Sequence, residues 1–331
     1  MKAFVLTMSA AALMTVLCSA SAPGDRKGIN DDKPIKQSKI VYLYPEGQNV
    51  DKGIVEDGVA ITLGPGESNG KTGDETTNPA RWAYGNIYNI GDSARMEFYF
   101  PEKPNGLMVI NCPGGAYWFV SEVNEGYCTV EYLLSQGVAV CNMFYRLPYG
   151  HKNVPLTDVQ NAFRYCRYHA SEWGIDKIGV MGFSAGGHLA ASASTLFTDD
   201  VTRPDFSILF YPVISMEAGI THQGSKDNLL GTKPDRKDVE EWSLEYRVTQ
   251  RTPVSYIALS ADDGGVPIQN SLRYVEALRA KGVKTTLHMY PSGGHGWGFN
   301  HPPYTSRDGM AAYRSLVKED LGRFLQDQIV K

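Results

Sequence analysis

The sequence predicts an α/β protein built on a mostly parallel sheet with helices on both faces. Three observations lead there. From about residue 96 onward, short apolar runs bounded by Pro and Gly alternate with longer segments whose apolar residues recur at helical spacing, the pattern of successive strand–helix units. The chain of 331 residues is 42% hydrophobic and 21% charged, which supplies a packed core and leaves too little charge for disorder. Its 34 Gly and 18 Pro follow no period, so collagen-like and low-complexity architectures are excluded and many tight turns are implied. The net charge of -4, with no block of Lys or Arg, argues against nucleic acid as a main partner.

Residues 1–22 read as an address. Met1 and Lys2 precede an apolar run over 3–18, followed by Ser19, Ala20, Ser21 and Ala22. A short positive start, an apolar stretch too brief for a spanning helix of about 20 residues and a small-residue exit describe a secretory signal. A periplasmic or secreted location is therefore expected. A lipid anchor at Cys18 is the weaker alternative, because Leu17 stands where such signals carry a small residue. Export permits disulfides, but Cys112, Cys128, Cys141 and Cys166 match neither a metal spacing nor a disulfide scaffold. They are expected as buried free thiols. No other segment approaches membrane-spanning length.

Residues 23–90 are turn-rich, with one strand over 40–44, and are expected to form an N-terminal extension packed on a main domain of 91–331. Within that domain, strands are expected over 96–100, 107–111, 138–144, 177–183, 206–211, 254–260 and 283–290. Helices are expected over 127–135, 156–172, 185–196, 269–280 and 309–329. The second of these shows the reasoning: Val159, Ala162, Phe163 and Cys166 share one helical face, and Gly174 stops the helix. Residues 216–246 break the rhythm, being polar and Gly-containing with only short helical candidates. Parallel sheets place their chemistry at the carboxyl ends of their strands, and the motifs fall there.

Gly182, Phe183, Ser184, Ala185 and Gly186 form G-x-S-x-G between an apolar strand and a helix-forming run. The pattern also occurs at Gly66–Gly70 around Ser68, which has neither flanking element and reads as a loop serine. At a sharp strand-to-helix turn the serine backbone is strained, and side chains at the flanking positions would collide, so glycine is required. The helix N-terminus beneath offers N–H groups and the positive end of a dipole to a developing oxyanion.

A serine hydroxyl needs a base, and the base an orienting acid. In this kind of fold the order is Ser, acid, His. Of the later histidines, His295 lies just past a strand in Ser292-Gly293-Gly294-His295-Gly296 and can swing over the sheet edge. His188 sits one helical turn beyond Ser184 and reads as a packing residue, His288 as a strand residue. His222 and His301 lie in loops that can line a pocket. The acid should follow the strand over 254–260, where Asp262 and Asp263 stand side by side. Either one satisfies the pattern, leaving the other as an Asx turn. Asp158, Asp176 and Asp205 read as caps or ion-pair partners. The strand over 107–111 runs into Cys112-Pro113-Gly114-Gly115-Ala116-Tyr117-Trp118, a loop whose glycines let backbone approach a carbonyl oxygen. The expected oxyanion donors are the amides of Gly115, Ala116 and Ala185. Tyr117, Trp118 and Trp297 are expected to wall the acyl pocket or stack on a sugar.

These motifs, together with Tyr145-Arg146-Leu147-Pro148, Leu229-Leu230-Gly231, Val266-Pro267 and Asn270-Ser271, resemble the α/β-hydrolase fold over residues 95–331. Within it, the chain resembles bacterial carbohydrate esterases of the acetyl xylan esterase kind. The resemblance implies nucleophile Ser184, base His295 and acid Asp262, the first of the pair. It also implies an acylated carbohydrate substrate, two-step acyl transfer without metal or organic cofactor, and an insert over 216–246 that covers the site. Pro113 and Ala116 depart from the HGGG-type loop, and Ala116 still carries an N–H. Two other readings share parts of this pattern. An oligopeptidase-like serine peptidase has the triad spacing, but its large N-terminal propeller has no room in about 90 residues. A non-enzymatic binding protein on the same fold would normally have lost the Ser or the His.

Overall fold

The computed structural model describes residues 94–299 and 309–330 continuously, preceded by the short stretches 26–27, 34–35, 38–43, 54–56, 59–61, 86–87 and 90. The expected signal peptide with Cys18, and the positions of Ser68 and His301, lie outside the described residues.

Eight strands make the central sheet: β1 (Lys39–Tyr42), β2 (Arg95–Tyr99), β3 (Leu107–Cys112), β4 (Ala139–Phe144), β5 (Lys177–Phe183), β6 (Phe206–Phe210), β7 (Val254–Ser260) and β8 (Thr285–Tyr290). Their spatial order is β1-β2-β4-β3-β5-β6-β7-β8. Only β2 runs antiparallel to its neighbours; the other pairings are parallel. Every residue of β3, β4 and β6 is buried. Alternate residues of a strand point to opposite faces, so both faces are covered, as an almost wholly parallel sheet requires. β1 comes from the segment expected as a separate extension and completes the edge of the main sheet.

The helices that cover the sheet are α1 (Cys128–Ser135), α2 (Val154–Trp173), α3 (Ser184–Thr195), α6 (Gln269–Ala280) and α7 (Arg314–Phe324). α4 (Gln223–Leu230) and α5 (Arg236–Glu241) lie in the segment expected as an insert. α2 starts with Pro155 in its first turn and stops at Gly174, which adopts a left-handed φ of 65°, the usual helix terminator. Its buried Asp158 holds the end of β4: Oδ2 accepts the Arg146 amide at 2.8 Å and Oδ1 pairs with the Arg146 guanidinium at 2.5 Å. The ion pair expected at Asp158 is thus present, and Asp205 pairs likewise with Arg167 at 2.8 Å. α1 is preceded by a π-helical turn, Glu122–Tyr127, that buries Glu122, Asn124 and Glu125. Such turns are rare and often sit at functional sites. Cys112, Cys128, Cys141 and Cys166 are buried free thiols.

The chain leaves β3 for β4 on one side and later returns to β5 on the other. The crevice outside the carboxyl ends of β3 and β5 is the switch point where ligands bind in open α/β sheets. Two loops meet there: the one after β3 and the turn into α3.

Candidate active site

Ser184 stands between β5 and α3 with φ 52°, a left-handed conformation that costs a non-glycine residue about 1–3 kcal/mol. Its surroundings explain the neighbouring glycines. A Cβ on Gly182 would lie 2.1 Å from the Gly186 carbonyl oxygen, and one on Gly186 would lie 2.1 Å from that of Cys112. The turn is therefore as tight as backbone allows, and it is packed directly on the loop after β3. The Ser184 carbonyl accepts the Val213 amide at 3.0 Å, which fixes the turn from the β6 side.

His295 reaches this serine from the loop after β8. Its Nε2 lies 2.8 Å from Ser184 Oγ, and its Nδ1 lies 2.8 Å from Asp263 Oδ2. A carboxylate only accepts, so Nδ1 carries the hydrogen and Nε2 is the acceptor facing the serine hydroxyl. Asp263, not Asp262, is the partner of the histidine, which corrects the expectation drawn from the motif resemblance. The reason lies in the turn. Asp263 Oδ1 accepts the Gly265 and Val266 amides, both at 2.8 Å, and this Asx turn aims the second oxygen at the imidazole. The side chain is 2% exposed. Asp262 points elsewhere: its Oδ1 accepts the Gly294 amide at 2.8 Å and so braces the histidine loop from the surface.

The loop after β3 lies against the serine. A Cβ on Gly114 would touch Ser184 Cβ at 3.0 Å. Gly115, Ala116 and Tyr117 follow with φ of 132°, 56° and 60°, a left-handed run that turns the chain sharply beside Ser184. Among the described residues, the Gly115 and Ala116 amides make no backbone hydrogen bond. The loop is held by others. The Tyr145 hydroxyl donates to the Pro113 carbonyl at 2.7 Å, and Asn228 Nδ2 of α4 donates to the Ala116 carbonyl at 2.9 Å.

This arrangement of strands, turn and loops is that of an α/β-hydrolase, and comparison with known proteins agrees. The BD-FAE family model matches residues 96–278. The chain belongs to the BD-FAE family. An acetylxylan esterase from Xylanibacter ruminicola is 39% identical over 246 residues, which are 72% of this chain and 49% of that protein. An endo-1,4-beta-xylanase B from Butyrivibrio fibrisolvens is 34% identical over 211 residues, 59% of this chain and 32% of that protein. The chain thus spans half the length, or less, of these two relatives. Among solved structures, the acetyl ester-xyloside bifunctional hydrolase of Caldicellulosiruptor lactoaceticus superposes with a TM-score of 0.60 at 34% identity, covering 68% of this chain and 87% of that one. The fold is that of an α/β-hydrolase, shared with these proteins.

In this BD-FAE chain α4 bridges the site. Asn228 holds the loop after β3, while His222 caps the start of the helix, its Nδ1 accepting the Ser225 amide at 3.2 Å. Burial and the charge of His295 hold the His222 imidazole below its ordinary pKa. The segment is pinned from below by Asn270, whose Oδ1 accepts the Ile214 and Ser215 amides, both at 2.9 Å.

Two expected pocket residues are not in the pocket. Tyr117 is 2% exposed and its hydroxyl bonds His188 Nδ1 at 2.9 Å; His188 Nε2 in turn lies 2.9 Å from the Trp242 carbonyl. Since a carbonyl only accepts, Nε2 carries the hydrogen and Tyr117 donates to Nδ1. Burial lowers the His188 pKa to about 4, so the ring is a neutral core bridge, as its position one turn past Ser184 suggested. Trp297 is 1% exposed and packs edge-on to Phe210 and Tyr211. Trp118, by contrast, is 62% exposed beside the loop. His288 lies on β8, 3.2 Å from Asp320 and remote from the serine in the fold. No group of three His, Cys, Asp or Glu side chains among the described residues is arranged to hold a metal.

Sequence reasoning missed Glu125 and Tyr211. Glu125 is 4% exposed; its Oε2 accepts the Gly114 amide at 2.6 Å and its Oε1 accepts the Tyr211 hydroxyl at 2.9 Å. Burial raises its pKa, and the Tyr211 and Gly114 hydrogen bonds partly offset the rise. Tyr211 directly follows β6 with φ 35°, and its ring meets His295 edge-on at 4.9 Å between centroids. The only signal for either was a cluster of polar residues, Glu122, Asn124 and Glu125, in a stretch otherwise suited to burial.

Proposed function

We propose that this chain is an exported serine esterase that removes short acyl groups, acetyl above all, from plant polysaccharide or oligosaccharide. The observation that carries the reading is the continuous hydrogen-bonded line from Ser184 Oγ through His295 to Asp263, with 2.8 Å at each link. The relatives named as an acetylxylan esterase and a xylanase support the substrate class. The apolar run over 3–18 with its small-residue exit supports a signal peptide over 1–22 and export.

The chemistry follows from the tautomer. His295 Nε2 takes the Ser184 proton as Oγ attacks the ester carbonyl, and the imidazolium that forms is stabilised by the Asp263 carboxylate. The carbonyl oxygen becomes an oxyanion for which the Gly115, Ala116 and Ala185 amides serve as donors, each contributing about 3 kcal/mol to the transition state. His295 returns the proton to the departing sugar oxygen, leaving an acyl-serine. Water, deprotonated by the same Nε2, then attacks the acyl carbon and releases the carboxylic acid, and the serine regains its proton. Trp118, exposed at the rim, offers a face on which a sugar ring can stack, and α4 walls the cleft.

Acetate release from acetylated xylan, measured against p-nitrophenyl esters of rising acyl length, tests the reading. Turnover should fall as the acyl chain lengthens and should vanish in Ser184→Ala. Retention of turnover in that variant, or cleavage of peptide amides in preference to esters, would overturn it.

A further inference from the structure

Glu125 touches both halves of the site. On one side its Oε2 accepts the Gly114 amide at 2.6 Å, at the entry to the left-handed run Gly115–Ala116–Tyr117. On the other its Oε1 accepts the Tyr211 hydroxyl, and that hydroxyl oxygen accepts the Gly298 amide at 2.9 Å, three residues past His295. The flanking Asn124 works in the same direction. Its Nδ2 donates to the Gly296 carbonyl at 2.9 Å, and its own carbonyl accepts the Phe299 amide at 3.1 Å. Glu125 is itself anchored, because its carbonyl accepts from Asn111 Nδ2 at 2.9 Å and from Thr129 Oγ1 at 2.8 Å. The π-helical turn thus carries a carboxyl group, fixed at its root by β3 and α1, into the gap between the oxyanion loop and the histidine loop.

We propose that Glu125 is a positioning residue that fixes these two loops to one another, acting on the oxyanion side through Gly114 and on the histidine side through Tyr211. The inference rests on the serine-esterase reading above. Two facts separate it from ordinary core packing. A buried carboxyl group is costly unless every acceptor is used, and both acceptors here are spent on groups that lead directly to catalytic loops. The oxyanion loop takes three consecutive left-handed residues beside Ser184, and displacement of such donors by about 1 Å costs on the order of 10²-fold in rate.

The test compares Glu125→Gln, Glu125→Ala, Tyr211→Phe and the Glu125→Ala/Tyr211→Phe double variant by kcat and KM on p-nitrophenyl acetate. Active sites are counted by stoichiometric phosphonylation and folding is checked by thermal melting. Glutamine keeps an acceptor for Gly114 but cannot accept from Tyr211 with its amide nitrogen, so it should retain more activity than alanine. We expect kcat per active site to fall about tenfold in Glu125→Gln and Tyr211→Phe and about 10²-fold in Glu125→Ala. KM should stay within threefold. The double variant should be no worse than Glu125→Ala alone, because Tyr211 acts through the same carboxyl. Undiminished kcat per active site in Glu125→Gln and Glu125→Ala, a loss confined to KM, or simple additivity in the double variant would overturn the inference. If alanine fails to fold, the glutamine and Tyr211→Phe variants decide the matter. Ser184→Ala runs alongside. If it stays active the serine mechanism fails, whereas a dead Ser184→Ala beside unimpaired Glu125 variants removes only the positioning role.

Discussion

Replacing the two neighbouring aspartates separately by asparagine distinguishes the geometry sharply. In Asp263→Asn the side-chain oxygen keeps the Gly265 and Val266 amides, now held at 2.8 Å by Oδ1. The amide nitrogen then replaces Oδ2 against His295 Nδ1. Because that nitrogen donates, the imidazole must turn to the tautomer with its hydrogen on Nε2, which points at Ser184 Oγ and can no longer accept its proton. Loss of the correct tautomer in a Ser-His-Asp site costs about 10⁴ in kcat, or about 5 kcal/mol of transition-state stabilisation. In Asp262→Asn the carboxamide oxygen can still accept the Gly294 amide, and the residue is exposed, so activity should stay within about threefold of the parent. The assay is initial-rate hydrolysis of p-nitrophenyl acetate at pH 8 under saturating substrate, with thermal melts to confirm folding. A crippled Asp262→Asn beside an active Asp263→Asn would refute the assignment and return the role to the first aspartate.

Other perturbations follow from the same coordinates. Gly186→Ala would drive a Cβ to 2.1 Å from the Cys112 carbonyl and 2.4 Å from that of Pro113, so turnover should drop at least about 10²-fold while Gly264→Ala, with open space around it, should match the parent. His188 has a folded pKa of about 4 against 6.5 unperturbed. The unfolded chain therefore binds the extra proton first, and stability is full above about pH 6.5, falls as pH drops and levels off below about 4, for a total near 3 kcal/mol. His188→Gln, which can still donate to Trp242 and accept from Tyr117, should lose less stability than the parent between pH 7.5 and 5 in urea titrations; an equal loss would discount the linkage. Trp118→Ala should raise KM for acetylated xylan several-fold and leave p-nitrophenyl acetate unaffected, and parallel changes on both substrates would remove its role in holding sugar.

Much of the fold is legible because its elements are long and periodic. β7 and α6 fall on the expected residues 254–260 and 269–280, one a run of apolar residues with turns at both ends, the other with buried positions Asn270, Ser271, Tyr274 and Leu278 on one face. The start of α1 is less legible: the helix expected from 127 is entered through a six-residue π-turn, Glu122–Tyr127, that no spacing rule announces. That Ser184 and His295 meet was legible because glycines mark the places where backbone must pass close. The choice between Asp262 and Asp263 was not legible, because adjacency in sequence carries no direction. The Asx turn expected of whichever aspartate was left over belongs instead to the one that faces the histidine. Tyr117 and Trp297 were placed in the pocket by proximity to its loops. Both are buried because a large ring beside a loop is as able to plug the core beneath it as to face a ligand.

The strained residues show what the rest of the molecule is for. Five non-glycine residues among those described have positive φ: Ala116, Tyr117, Tyr149, Ser184 and Tyr211. One is Ser184 itself, three (Ala116, Tyr117 and Tyr211) lie on the chain segments beside it, and Tyr149 precedes Gly150, whose amide bonds the Asn228 carbonyl of α4. Each such conformation is unfavourable by about 1–3 kcal/mol and persists only where its surroundings over-determine it. Here the surroundings are identifiable: β4, β3, β5 and β6 end side by side in a buried parallel sheet, and their exits are tied to one another by Val213 to Ser184, by Tyr145 to Pro113, and by Tyr211 through Glu125 to Gly114. Strain concentrated at one rim of a rigid sheet is the expected arrangement for a site whose donors must be in place before charge develops, because donors fixed in advance need no reorganisation during the reaction. The same logic explains why, apart from Ser184, whose flanking glycines announced the strain, these positions escaped a reading of composition and period. Ala116, Tyr117, Tyr149 and Tyr211 carry no mark of left-handed backbone, and their conformation is imposed by the neighbours against which they are packed.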